Sequence, residues 1–300
     1  MFGSKPKPIA EHEARGDTAR VYHEIRQTLR VSGVNLNFRT WAGFERFFPA
    51  MWSAMQPIAA SQAFESGADE VRARAADLAR ELPALQVGAK LGDSQRLQIQ
   101  GALALYHYIN PKLLLFTVLV RRGLAGEGPG AASVGTELGP HVPFGAPARM
   151  AAMEMVDETP GDRRLRRIFR DIKKTMQLTS VNSDYRTLAL WPDYLDPAWA
   201  SLKRVVRKDS YQESTRVLMQ AAAMAADRFP TPVSLDLRRL RSRGEDAKAV
   251  MEVTTQFERL LPPLILNIAV LARDWWPGDE LGRSPFPIVD ASARTSGASS

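Results

Sequence analysis

The chain repeats itself. Residues 21–56 of its 300 residues align without a gap onto residues 168–203, an offset of 147. VYHEIRQTLRVSGVNLNFRTWAGFERFFPAMWSAMQ lies over IFRDIKKTMQLTSVNSDYRTLALWPDYLDPAWASLK. Ile25 matches Ile172, Thr28 matches Thr175, and Val34-Asn35 matches Val181-Asn182. Arg39-Thr40 matches Arg186-Thr187, and Trp52 matches Trp199. A weaker echo, shifted to 151, places Asn110-Pro111-Lys112-Leu113-Leu114 over Leu261-Pro262-Pro263-Leu264-Ile265. Chance rarely produces such agreement, so two copies of one supersecondary unit are encoded. Each copy carries the same apolar face, which predicts that the halves pack as an intramolecular pseudo-dimer. A cleft at the pseudo-twofold axis is then the favoured place for a small molecule.

The repeated unit is helical. Residues 68–82, 94–109 and 213–228 carry apolar side chains at helical spacing among good helix formers. No series of period-two strands divided by hairpin turns is present, so an all-α fold is expected. From Gly123 to Pro147, Gly and Pro recur every few residues and no helix is expected. The chain divides accordingly into a first helical repeat over 1–122, a linker over 123–150, and a second repeat over 151–300. A Pro-rich and then Ser/Ala-rich tail from Ser284 to Ser300 is expected to fray at its end.

Composition narrows the function. There is no Cys, which excludes disulfides, Cys-bound zinc, iron–sulfur clusters and thiol catalysis. The four histidines, His12, His23, His107 and His141, show no metal-ligand spacing, so no metal site is expected. No phosphate-binding loop and no nucleophile elbow occur. The net charge of +7 is modest for this length and does not by itself indicate nucleic acid. The basic run Arg163–Arg170 keeps Leu165, Ile168 and Phe169 at helical spacing, which favours a solvated amphipathic face over a nucleic-acid patch. No secretory signal is apparent, and the apolar runs Leu113–Val120 and Leu260–Ala272 are shorter than a membrane span of about 20 residues. A soluble cytoplasmic protein is the default.

The informative positions are those where the repeat breaks its own symmetry. Asn35-Leu36-Asn37-Phe38 becomes Asn182-Ser183-Asp184-Tyr185, so a carboxylate appears in one copy only. Asn110 likewise lies over Leu261. A single site straddling the axis accounts for both. Asp184 can equally be an N-cap of the following helix, and Asn110 can simply end one before Pro111. Arg39 and Arg186 recur in both copies, as structural ion-pair partners do. Trp52 and Trp199 read as core. Ser61 and Glu65, four apart, share a helix face without an evident partner.

The duplicated helical architecture, the segment Val181-Asn182-Ser183-Asp184-Tyr185-Arg186, and Tyr106-His107-Tyr108-Ile109-Asn110-Pro111-Lys112 resemble the group I 2-haloacid dehalogenases, over about residues 15–280. The resemblance implies an all-helical, cofactor-free enzyme, often homodimeric, that converts 2-haloalkanoic acids to 2-hydroxy acids with inversion at carbon 2. It implies that Asp184 is the base that activates water, and that Asn110 helps hold that water. It also implies substrate contacts at Asn35, Phe38 and Ser183. Leu36 and Leu113 stand where the family is generally aromatic, so a different pocket shape is expected. The chemistry suits these side chains. An ionised Asp and an amide oxygen can together accept both hydrogens of a water aimed at an sp³ carbon. Backbone N–H groups at helix starts can hold the substrate carboxylate.

Two other readings remain open at this level. In one, Asp184 is a nucleophile that forms an ester. In the other, the chain is a non-catalytic helical scaffold or small-anion binder that keeps the dehalogenase fold.

Overall fold

The computed structural model describes residues 6–127, 137–232, 235, 237–242, 244–276 and 278–288. Eleven α-helices are found among them: α1 Gly16–Leu29, α2 Leu36–Trp41, α3 Phe47–Ala59, α4 Gln62–Glu81, α5 Asp93–Ala125, α6 Arg163–Met176, α7 Ser183–Leu188, α8 Pro192–Val206, α9 Asp209–Ala226, α10 Leu237–Ser242 and α11 Ala247–Ala272. Among the described residues there is no β-strand, only an isolated bridge between Ser61 and His141.

Helix bounds recur at the sequence offset. α1 and α6, and likewise α2 and α7, begin and end at matching positions. α3 and α8 end together, α4 and α9 begin together, and α5 and α11 end together. The tethers recur as well. Trp52 Nε1 donates to Glu24 at 2.7 Å and Trp199 Nε1 to Asp171 at 2.8 Å. The backbone N–H of Val34 donates to Glu11 at 2.8 Å, and that of Val181 to Glu158 at 3.1 Å. Arg30 and Gln177 both close their helices in the left-handed conformation, at φ 59° and 53°. A non-glycine residue rarely adopts that region, at a cost of about 1 kcal/mol or more.

α5 and α11 lie against each other at the centre. α5 is apolar and long enough to cross a membrane, but its most hydrophobic stretch is wholly buried inside the protein. It continues through Gly123 to Ala125, past the expected boundary at residue 122, and stops at Gly126 with φ 67°. Asn110 does not end this helix, although it precedes a proline. Pro111 offers no N–H to the carbonyl of His107 four residues back. Arg72 from α4 supplies the donor instead, with Nε 3.0 Å from His107 O. The same guanidinium reaches Tyr108 O at 3.3 Å.

The segment after α5 wraps the first half without helix over its described part, 137–162. Gln62 and Ala63 donate to Pro140 and Leu138, and Gly145 donates to Gln27. The most Gly-rich part of the linker, 128–136, and the tail from 289 lie outside the described residues. α6 buries Leu165, Ile168, Phe169 and Ile172, while Arg164 and Arg167 pair with Asp193 and Asp196 on α8.

Candidate active site

A small cavity lies where α2, α5, α7 and α11 converge. Its walls are Asn35, Leu36, Asn37, Asn110, Leu113, Asn182, Ser183, Asp184, Phe257, Leu260, Leu261 and Leu264. Its volume is about 30 Å³. That is room for about two water centres. The lining pairs off at the two offsets of the sequence repeat. Asn35, Leu36 and Asn37 correspond to Asn182, Ser183 and Asp184, and Asn110 and Leu113 to Leu261 and Leu264.

Asp184 sits at the second position of α7. Asn182 is the N-cap, so the capping role open to Asp184 in the sequence is not the one it takes. Its carboxylate is buried, at 4% exposure, and accepts from Asn110 Nδ2 at 2.6 Å. A carboxylate only accepts, so the amide nitrogen of Asn110 is committed to it and the amide oxygen remains as an acceptor. Burial pushes Asp184 up to about 6, while the Asn110 hydrogen bond and its own backbone N–H pull the other way. Tyr106 and Tyr185 flank this charge, and both phenols are pushed up, chiefly by burial and then by Asp184 itself. Behind the site, Asn267 donates to Tyr185 Oη at 2.7 Å and accepts from Tyr211 Oη at 2.8 Å.

Around the cavity several polar atoms have no partner. Asn35 Oδ1, both amide atoms of Asn37, and Asn182 Oδ1 are buried and unbonded. Leaving a buried polar group unpaired costs about 1–3 kcal/mol. Their gathering at one small cavity marks a place built for a polar guest.

Four of the five residues expected at the site meet here: Asn35, Asn110, Ser183 and Asp184. Phe38 does not line the cavity. Its ring is fully buried edge-on to Trp41 and Phe116, with centroids 5.6 and 5.2 Å away. One turn of α2 carries both Asn37 and Phe38, and the ring takes the core side. Asn37, Phe257, Leu260 and Leu264 belong to the wall without having been singled out in the sequence. The Asn37–Asp184 correspondence was the available signal for the first, and nothing local marked the α11 residues.

His107 is kept neutral, lowered to about 3 mainly by burial and then by Arg72, with its Nε2 2.7 Å from Leu281 O. Among the described residues no three His, Asp or Glu side chains gather to hold a metal ion.

A family model described as halocarboxylic acid dehydrogenase DehI matches residues 32–185, a span that carries both Asn110 and Asp184. The chain belongs to this family. It is 27% identical over 278 residues to an (R)-2-haloacid dehalogenase of Pseudomonas putida, covering 87% of this chain and 90% of the relative. It is 26% identical over 293 residues to a configuration-inverting 2-haloacid dehalogenase of Pseudomonas sp. strain 113, covering 93% and 94%. Among solved structures, a D-2-haloacid dehalogenase in complex with L-LA superposes with a TM-score of 0.80 at 26% identity, over 89% of this chain and 94% of that one. The all-helical architecture is thus shared with that enzyme.

Proposed function

We infer that the protein is a hydrolytic 2-haloacid dehalogenase, which converts short 2-haloalkanoic acids to 2-hydroxy acids with inversion, and that Asp184 drives the reaction by deprotonating water. The observation that carries the reading is the buried Asp184 carboxylate, hydrogen-bonded to Asn110 at 2.6 Å in the cavity where the first repeat offers only Asn37.

Water is a poor nucleophile and must lose a proton as it attacks carbon 2. A base near 6 is stronger than a free aspartate, near 4, yet largely ionised at neutral pH. The water donates one hydrogen bond to Asp184, which takes that proton, and one to the amide oxygen of Asn110, whose hydrogen stays on the product hydroxyl. A lone pair then points at the carbon, opposite the carbon–halogen bond. As the new C–O bond forms, the halide leaves with the bonding pair and Asp184 keeps the proton. Leu113, Leu261, Leu264 and Phe257 keep other water away from the developing charges.

The substrate carboxylate sits against the starts of α2 and α7. The first N–H groups of a helix have no partner within it. Ser183 and Asn35 face the guest with their side chains. Phe38 does not line the cavity and has no part in this contact.

The test follows halide release from separated D- and L-2-chloropropionate, with product configuration read on a chiral column. Chloride release with an inverted product is expected, and Asp184→Asn abolishes it without loss of helix content. Chloride release by that variant at the wild-type rate removes Asp184 as the base. A single turnover in labelled water distinguishes the ester route, in which the label enters the Asp184 carboxylate rather than the product.

A further inference from the structure

A second and larger cavity, about 350 Å³, adjoins the first and shares Leu36, Asn182, Phe257 and Leu260 with it. The N-terminal strap closes one side through Pro6 and Pro8. The strap is pinned where Ile9 donates to Arg39 O at 2.9 Å and Tyr22 Oη donates to Ile9 O at 2.8 Å. Arg186 lines this cavity, half-buried, with its Nε committed to Val156 O at 2.8 Å and no carboxylate in ion-pair range among the described residues. Burial first, and then the repeat-matched Arg186, disfavour the charge on Arg39, while Tyr22 and Glu11 favour it, and Arg39 Nε is buried without a partner. Glu158 also lines the cavity, but it accepts from the Val181 N–H at 3.1 Å and lies 3.9 Å from Lys173. Thr179 and Ser180 add hydroxyl donors on the same wall.

A half-buried guanidinium with no carboxylate in ion-pair range is a costly arrangement unless an anion visits. We propose that this cavity is a vestibule with a second anion subsite at Arg186, which holds one small monovalent anion at the mouth of the reaction cavity. The identity of the visitor rests on the dehalogenase reading. It is either the carboxylate of the arriving acid or the halide on its way out, and both meet the same guanidinium N–H donors. The four shared residues are the partition between the subsite and Asp184. The orphaned Oδ1 of Asn182 lies on that partition.

Acetate and chloride are titrated into the wild-type protein, Arg186→Gln and Arg186→Lys by calorimetry, and KM for 2-chloropropionate and inhibition by added chloride are measured on all three. Arg186→Gln is expected to weaken anion binding about tenfold, the loss of one charge-assisted hydrogen bond, and to lower kcat/KM chiefly through KM. Arg186→Lys keeps the charge and retains most of both. A change confined to acetate and KM assigns the subsite to the incoming carboxylate, and one confined to chloride assigns it to the departing halide. Unchanged titrations with unchanged KM and chloride inhibition in Arg186→Gln overturn the proposal. The titrations need no turnover, so they decide the subsite even if the protein releases no halide.

Discussion

Asp184 should destabilise the protein that depends on it. Burial raises its carboxyl from 3.8 to about 6, a rise of about two pH units. Each unit corresponds to 1.36 kcal/mol, so the ionised form opposes folding by about 3 kcal/mol. Below pH ~4 the group is protonated in both states and contributes no penalty. As pH rises through the window from about 4 to about 6, the unfolded chain releases its proton first, and wild-type stability falls. Above about 6 the loss is complete and constant. Asp184→Asn keeps the shape and the acceptor for Asn110 Nδ2 but has no proton to lose. Urea unfolding of both proteins between pH 4 and pH 8 isolates the effect, because every other titrating group cancels in the difference. The variant should match the wild type near pH 4 and exceed it by about 3 kcal/mol at pH 8, while releasing no halide. A difference that is flat across this range, or a variant weaker than wild type at pH 8, refutes the burial of an ionisable carboxylate at this position.

Halide release should show an acid limb at about pH 6, with kcat falling tenfold per unit below it as Asp184 is protonated. Asn110→Leu should move that limb upward, since the Asn110 hydrogen bond is what holds Asp184 down; a stopped-flow or pH-stat profile reads both shifts. Lys112 Nζ lies 2.6 Å from Glu65 in the core, and burial lowers it to about 8. Lys112→Met leaves the buried Glu65 with only Arg30, 3.9 Å away, as a cationic partner and should cost about 3 kcal/mol in urea unfolding, with much of it recovered in the Lys112→Met/Glu65→Leu double variant. Arg72→Met should cost about 1–3 kcal/mol by orphaning His107 O. Adding Pro111→Ala returns a backbone N–H to that carbonyl, so the double variant should unfold at higher urea than Arg72→Met alone.

Much of the fold was legible because the chain carries its own comparison. The offset of 147 aligned thirty-six positions of sequence, and helix bounds follow the same offset well beyond them, to α5 and α11. Features that depend on distant partners were not legible. Pro111 reads locally as a helix end, and only Arg72, from another helix, makes a continuous α5 affordable. Glu65 had no visible partner because Lys112 reaches it across the core rather than along its own helix. Phe38 matched the family pattern at the level of residue type, yet one turn of α2 has a core side and a cavity side, and sequence alone does not say which the ring takes.

The asymmetry that pointed to Asp184 has a physical origin. Its counterpart Asn37 lines the same cavity, and that cavity leaves about 30 Å³ for water-sized guests. A duplicated chain that kept Asp at both positions would place two carboxylates around a space of about two waters. Two carboxylates lining one small cavity disfavour each other's ionisation, so the pair would keep a proton to higher pH than a single buried Asp. The ionised member would then be hydrogen-bonded to its protonated neighbour, which competes with water for the same oxygens. With Asn at position 37 the proposed base at Asp184 has no second carboxylate in the cavity to share its proton. Asn removes the charge at nearly constant shape, while its unpaired amide stays available to the guest.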